Sequence, residues 1–219
     1  LAPEKDPIEV KNEKLSLKEK ISYGFGDFGN GFMFDLGQLY LLKFLTDIAG
    51  IPAAAAGTIF LVSKLFAAIM DPIVGSSIDY RKNIGKRGKF KPYLIIGSLV
   101  LAIFTVLLFI SPEISNTGKL IYAYALYMVW GIAYSYTNIP YGSLGAAMTQ
   151  NAEDRTSLAT FRQIGSLGAL LITSVIVMPL IVKFENPKVG YPVVMGIMCI
   201  VGIIGFYICY RNTKERVLV

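Results

Sequence analysis

Five ionisable side chains fall inside stretches otherwise built from apolar residues. Asp27, Asp35 and Lys43 lie between Ile21 and Thr46, and Lys64 and Asp71 lie between Ala54 and Ile78. On insertion scales each costs about 2.5–3.5 kcal/mol at the centre of a bilayer. Such groups must be paired, hydrated or close to the interface. Lys64 and Asp71 are seven residues apart, so a helix places them on one face, about 10 Å apart along its axis. Ser63, Ala67, Ala68 and Gly75 lie on or beside that face and leave it narrow and open. The chemistry that fits is a water-filled polar cavity through which a solute or ion moves. A structural ion pair with a neighbouring helix is the competing reading.

A second set could handle hydroxyl groups. Asp35 is one turn from Gly31, with Gln38 close to the same side, and with Asn30 they offer donors and acceptors. Tyr134, Trp130 and Tyr40 could supply an aromatic platform, although Tyr and Trp also populate interfacial belts. A third set is basic. Arg81, Lys82, Lys86, Arg87, Lys89 and Lys91 crowd the connection between Asp79 and Pro92. Asp79 paired with these cations would latch one conformation, or the cluster would orient the helices in the membrane. Both roles could hold together.

The elements that must position these groups are helices. Hydrophobic residues make up 54% of the 219-residue chain and charged ones 16%. A soluble domain carries about 25% charge. Charge-free runs at 92–112, 120–152, 163–182 and 189–210 each reach the roughly 20 residues needed to cross hydrocarbon. With the two charge-interrupted spans, six transmembrane helices are expected, an all-α membrane protein. The boundaries read as a tail at 1–20, a six-helix bundle at 21–210, and the start of a further cytoplasmic segment at 211–219.

The net charge of +6 sorts by side. Sixteen Lys and Arg fall on the side of the N-terminal tail, and only Lys119, Lys183 and Lys188 fall on the other. That bias predicts cytoplasmic termini and argues against nucleic acid as the cause of the charge. Residues 1–20 are polar and mixed in charge, so no cleavable signal is visible and the first span is expected to stay.

Local features refine the spans. Ser16 and Glu19 fit a capping box that would start the first helix. Gly24, Gly26, Gly29 and Gly31 in YGFGDFGNG read as a helix–helix contact face or as local unwinding beside a ligand. Pro140 after Asn138 predicts a break or kink in the fourth span. The third span, Tyr93–Ile110, is uniformly apolar and is expected to face lipid over much of its surface. Cys199 and Cys209 make no disulfide framework or metal pattern and read as small buried thiols. The chain has no His, which excludes imidazole chemistry. With no nucleophile–base pair, metal cluster or phosphate loop, the sequence does not read as an enzyme, and no metal or cofactor is expected.

From Leu15 to Val217 the chain resembles the glycoside–pentoside–hexuronide:cation symporters, the melibiose permease group of the major facilitator superfamily. The residues that carry this are YGFGDFG (23–29), DPIVGSSID (71–79) with GKFKPY (88–93), WGIAYSYTNIPYGSL (130–144) and DRTSLATFRQ (154–163). The resemblance implies that the chain is the N-terminal six-helix bundle of a two-bundle transporter, with a sugar site between the bundles. It would move a sugar, glycoside or oligosaccharide with a cation by alternating access across the cytoplasmic membrane, with a C-terminal bundle as partner.

By position in the family pattern, Asp71, Ser135 and Asn138 fall at the cation site, with Lys64 beside them. Ala67 and Met70 stand where the pattern has Asp and Asn, and Asn138 where it has Asp. Losing two carboxylates weakens a sodium site, so the coupling ion is expected to be H+ rather than Na+, with Asp71 as the titrating group. The sugar set would comprise Asn30, Gly31, Asp35, Gln38, Tyr134, Asn138, Gly142 and Arg162. Here Asn30 and Gly31 replace a Lys-Asp pair and Gly142 replaces a Trp. The loop motif would comprise Asp79, Arg81, Lys89 and Lys91. One cation moving down 100 mV supplies about 2.3 kcal/mol, roughly 50-fold accumulation. A half-size membrane protein that binds sugar without moving it, a sensor or scaffold, is the alternative.

Overall fold

The computed structural model describes residues 14–80 and 88–217. Arg81, Lys82, Lys86 and Arg87 of the basic turn, and the start of the N-terminal tail, lie outside the described residues.

All described regular structure is helical. The first rod is α1 (Leu17–Asn30), a π-helical turn (Gly31–Asp35), α2 (Leu36–Lys43) and a second π turn (Phe44–Ile48). The backbone stays right-handed helical through each junction, so the four pieces form one continuous element. Ser16 accepts from the Glu19 N–H while Glu19 reaches back to the Ser16 N–H, the capping box expected from sequence. The π turn was not expected. It closes with the Leu36 N–H on the Gly31 carbonyl, and one added residue turns the downstream faces back by about 100°. Regular α geometry would leave Asp27 and Asp35 about 80° apart; the insertion brings them to within roughly 20°.

After this rod come α3 (Ala53–Asp79), α4 (Lys91–Leu108), α5 (Asn116–Met148), α6 (Ala152–Val182) and α7 (Pro187–Asn212). Four of the described helices, α3, α4, α6 and α7, are long and apolar enough to cross a membrane. The α1–α2 rod and α5 carry more polar residues, those that build the site. Side-chain oxygens start the later helices: Ser115 accepts from Gly118 and Asn151 from Asp154.

α1 packs on α6 and α7, α4 on α5 and α7, and α3 on α5. The glycine-rich stretch is a contact face. A Cβ on Gly165 of α6 would fall on the Gly24 carbonyl of α1, and one on Gly29 would come 2.7 Å from the Gly202 carbonyl of α7. Only hydrogen at these positions lets the backbones approach. The core between the helices is aromatic, with Trp130, Tyr23, Tyr141, Tyr191 and Phe44 fully buried. Cys199 and Cys209 are free and buried.

Two expectations are sharpened. Of the break or kink expected at Pro140, the break is absent: α5 runs as one helix from Asn116 to Met148. Pro140 is itself buried, and packing of α5 against α3 and α4 holds the rod together across the missing donor. The third span is exposed over much of its surface, as expected, but along one side only. α4 buries Leu94, Gly97, Ser98, Leu101, Ala102, Thr105 and Leu108 against α5 and α7, and exposes Ile96, Leu99 and Ile103 on its other side. Uniform apolarity hid that division, because a helix apolar all round gives no periodic signal.

Candidate functional site

α3 and α5, together with the π turn and α2, enclose a cavity of about 410 Å³. Lys64 and Asp71 both line it, so the two-turn spacing does place them on one face. Ala67 and Met70 share that wall, and Gln38, Tyr134 and Ser135 face it from the other elements. Ser135 Oγ donates to Asp71 Oδ1. No described residue forms an ion pair with Lys64. Gln38 Nε2 donates to the Tyr127 hydroxyl at 2.7 Å, which leaves its carboxamide oxygen available. The Ser63 hydroxyl, also on this wall, is buried without a hydrogen-bond partner.

The aromatic wall comes from Phe34, Tyr134 and Trp130. Phe34 stacks on Tyr134 with centroids 3.5 Å apart and planes 11° apart, and on Trp130 at 4.4 Å. Trp130 is locked by a 2.8 Å bond from its Nε1–H to Thr105 Oγ1. Tyr40 takes no part in this wall. It is buried against α6, its hydroxyl bonded to the Thr173 carbonyl at 3.3 Å. Spacing alone could not tell a packed tyrosine from one that faces a cavity.

A charged cluster joins α1, α5 and α6. Arg162 grips both oxygens of Asp27, Nε to Oδ2 at 2.6 Å and Nη2 to Oδ1 at 3.3 Å. Its guanidinium lies 4.8 Å from the Tyr141 ring centre. Tyr141 donates to the Tyr23 carbonyl at 2.7 Å, Tyr23 donates to the Tyr141 carbonyl at 3.0 Å, and the Asp27 N–H donates to Tyr141 Oη at 3.2 Å. Asn30 Nδ2 bridges Asp27 and Asn138 Oδ1 at 3.4 and 3.3 Å, while its own carbonyl oxygen is buried and unpartnered. Tyr134 belongs to the cavity, which it lines with its ring stacked on Phe34.

The residues anticipated for sugar therefore divide. Gln38 and Tyr134 face the cavity, and Asn30, Asn138 and Arg162 surround Asp27. Asp35 is half-buried with an oxygen on the Gly31 side, and Gly31 itself is packed under Ala169. Gly142 lines a separate recess of about 200 Å³ with Arg155 and Arg162. Of the residues anticipated for the cation, Asp71, Ser135 and Lys64 meet at the cavity, while Asn138 lies one turn beyond Ser135, facing Asn30. Ser63 lines the cavity as its place beside the Lys64–Asp71 face suggested, whereas Phe34 and Tyr127 escaped sequence reasoning, since an aromatic residue in an apolar run carries no distinguishing signal.

At one end of the bundle a carboxylate orders the chain around α4. Glu215, just past α7, accepts from the backbone N–H groups of Lys89, Phe90 and Lys91 at 2.7, 2.9 and 3.0 Å. Anions suit a helix N-terminus because its first N–H groups have no intrahelical partner. Gly88, at φ +92°, lies so close to that carboxylate that any Cβ there would collide with it. Lys91 Nζ donates to the Thr213 carbonyl at 2.8 Å, and Lys89 Nζ is 3.7 Å from Asp79. Arg81 falls outside the described residues. Nearby, Arg216 pairs with Glu19 at 2.7 Å. Burial opposes the Glu19 charge, yet Arg216 and Ser16 outweigh it and hold that carboxyl below its ordinary range.

Among known proteins, a family profile described as MFS/sugar transport protein matches residues 22–219. The chain is 78% identical to a Bacillus subtilis (strain 168) protein named Uncharacterized symporter YjmB, over 97% of this chain and 46% of that one. It is 37% identical to the Inner membrane symporter YicJ of Escherichia coli (strain K12), over 95% of this chain and 45% of the relative. It is likewise 37% identical to the Glucuronide carrier protein homolog of the same organism, over 94% and 46%. The chain thus spans about half the length of the curated relatives it matches.

Proposed function

Because the chain belongs to the MFS/sugar transport protein family, a family of multi-pass membrane transporters and not of enzymes, we propose that it forms the N-terminal six-helix bundle of a cation-coupled sugar symporter. The first rod and α5 complete the six crossings with the four apolar helices, and a second bundle closes over the cavity that α3 and α5 line. Half-length coverage of the relatives supports this division. The membrane is the cell's inner membrane, with both termini cytoplasmic, as the Lys and Arg bias favours.

The observation that carries the proposal is the cavity, where a lysine and an aspartate at bilayer depth share a void with Gln38, Ser135 and a stacked aromatic wall. Cavities of roughly 300–1,000 Å³ accept small ligands. Gln38 and Asn30 offer hydroxyl partners, and Tyr134 offers a flat face. Asp71 carries the coupling ion. Ala67 and Met70 bring no oxygen to its wall, and hard cations want several; a proton needs only the carboxylate and Ser135. Rocking of the bundles about this cleft then gives alternating access.

The test is uptake into proteoliposomes containing the complete two-bundle protein, with a proton gradient or a sodium gradient imposed separately. An inward proton gradient is expected to drive accumulation of a labelled sugar, and sodium alone is not. Accumulation that requires sodium and ignores pH would remove the proton assignment.

A further inference from the structure

We propose that Asp35 is a second proton-carrying carboxylate, so that each sugar crosses with two protons, one on Asp71 and one on Asp35; the inference rests on the proton-coupled reading above and extends it to a residue outside the cavity.

Asp35 closes the π turn near the middle of the rod that runs from Leu17 to Ile48. It does not line the cavity. It faces α6 instead, where its carboxylate meets the Ser166 hydroxyl, and it is only half-buried, so water reaches it. The π insertion turns it onto the face that carries Asp27. Among the described residues the cation that answers this face is Arg162, one turn before Ser166 on α6, and it grips both oxygens of Asp27. No ion pair among the described residues reaches Asp35. Further along the rod, Lys43 is held by Asp47. α5 presents the neutral phenol of Tyr134, its ring stacked on Phe34. α4 and α7 also pack on the π turn, but their charged residues, Lys91, Lys188 and Arg211, lie at the helix ends. Lys64 and Asp71 of α3 belong to the cavity.

Asp27 and Arg162 cancel, and an ionised Asp35 leaves one negative charge at bilayer depth without a partner, which is costly. A proton taken up from water removes that charge, so the bundles close over a neutral group, and the proton returns to water when the cleft opens on the other side. Ser166 suits both states, since a hydroxyl donates to a carboxylate and accepts from a carboxyl. The Asn30 carbonyl oxygen, one π turn before Asp35, calls for the same proton: its residue is 3% exposed and the oxygen has no donor. Native proteins seldom leave such an acceptor unsatisfied. An ionised carboxylate has no hydrogen to offer it, and a carboxylic acid has one.

The number of protons per sugar tests this. The full-length two-bundle protein is reconstituted into proteoliposomes, and labelled D-glucose, D-galactose, D-xylose and D-glucuronate are screened for uptake. For the sugar taken up fastest, the sugar gradient that nulls net flux is measured against an imposed pH gradient, with the membrane potential clamped at zero. Each coupled proton multiplies that gradient about tenfold per pH unit, so about 100-fold is expected for the unmodified protein and about tenfold for Asp35→Asn. Asp35→Glu should keep the two-proton value, and Asp35→Asn should keep sugar exchange at equal pH, which separates proton carriage from misfolding. A one-proton value in the unmodified protein, a two-proton value in Asp35→Asn, or loss of exchange in Asp35→Asn would overturn this inference and leave the transport reading standing. A nulling gradient that ignores pH, or uptake of none of the four sugars, would instead sink the proton-coupled transport reading, and this inference with it.

Discussion

Arg162 holds Asp27 through two nitrogens, and the aspartate side chain is only 14% exposed. Removing one member of such a pair strands the other, which costs more than the pair contributes. Arg162→Ala is therefore expected to lower stability by roughly 3 kcal/mol, while Asp27→Asn with Arg162→Gln restores part of it. Thermal unfolding of the purified full-length protein measures both, and equal losses in the single and double variants would contradict the argument. Sequence made one half of the site's charge legible and hid the other. Lys64 and Asp71 share a helix, so their spacing fixes a common face. Asp27 and Arg162 are separated by 135 residues, and nothing local in either segment names its partner. The resemblance pointed to Arg162 as a sugar residue without revealing that Asp27 already occupies its guanidinium.

Elements were legible where pattern changes along the chain. Ser16 with Glu19 marked the start of the first helix, and the YGFGDFGNG glycines marked the face on which α6 and α7 sit. Where pattern is uniform, as along α4, the buried and exposed sides could not be separated. The π turn at Gly31–Asp35, which packs on α4, α6 and α7, also left no trace in the sequence. Nor did the link between the end of α7 and the start of α4, in which Glu215 receives three backbone N–H groups. Capping carboxylates contribute about 1 kcal/mol each, and charge-assisted bonds somewhat more. Glu215→Ala is expected to cost about 1–2 kcal/mol and to speed amide hydrogen exchange at Lys89–Lys91 selectively. Unchanged exchange there would show that the carboxylate does not hold the turn.

At the scale of the whole molecule, composition gave the class and the sorting of Lys and Arg gave the orientation now proposed. Exposed apolar side chains cover α3, including Leu61, Leu65, Ile69 and Ile73, which would be costly in water and is ordinary in lipid. Along the same helix Lys64, Ala67 and Asp71 face the cavity, so one helix is asked to meet hydrocarbon on one side and water on the other. That division is the central claim, and cysteine labelling tests it directly. Cys199 and Cys209 are buried and contribute little background once replaced. In the full-length protein in membranes, Ala67→Cys should react with a membrane-impermeant, water-soluble maleimide, and Ile69→Cys only with a lipid-soluble one. The reverse result, with position 67 reached only from lipid and position 69 from water, would contradict the account.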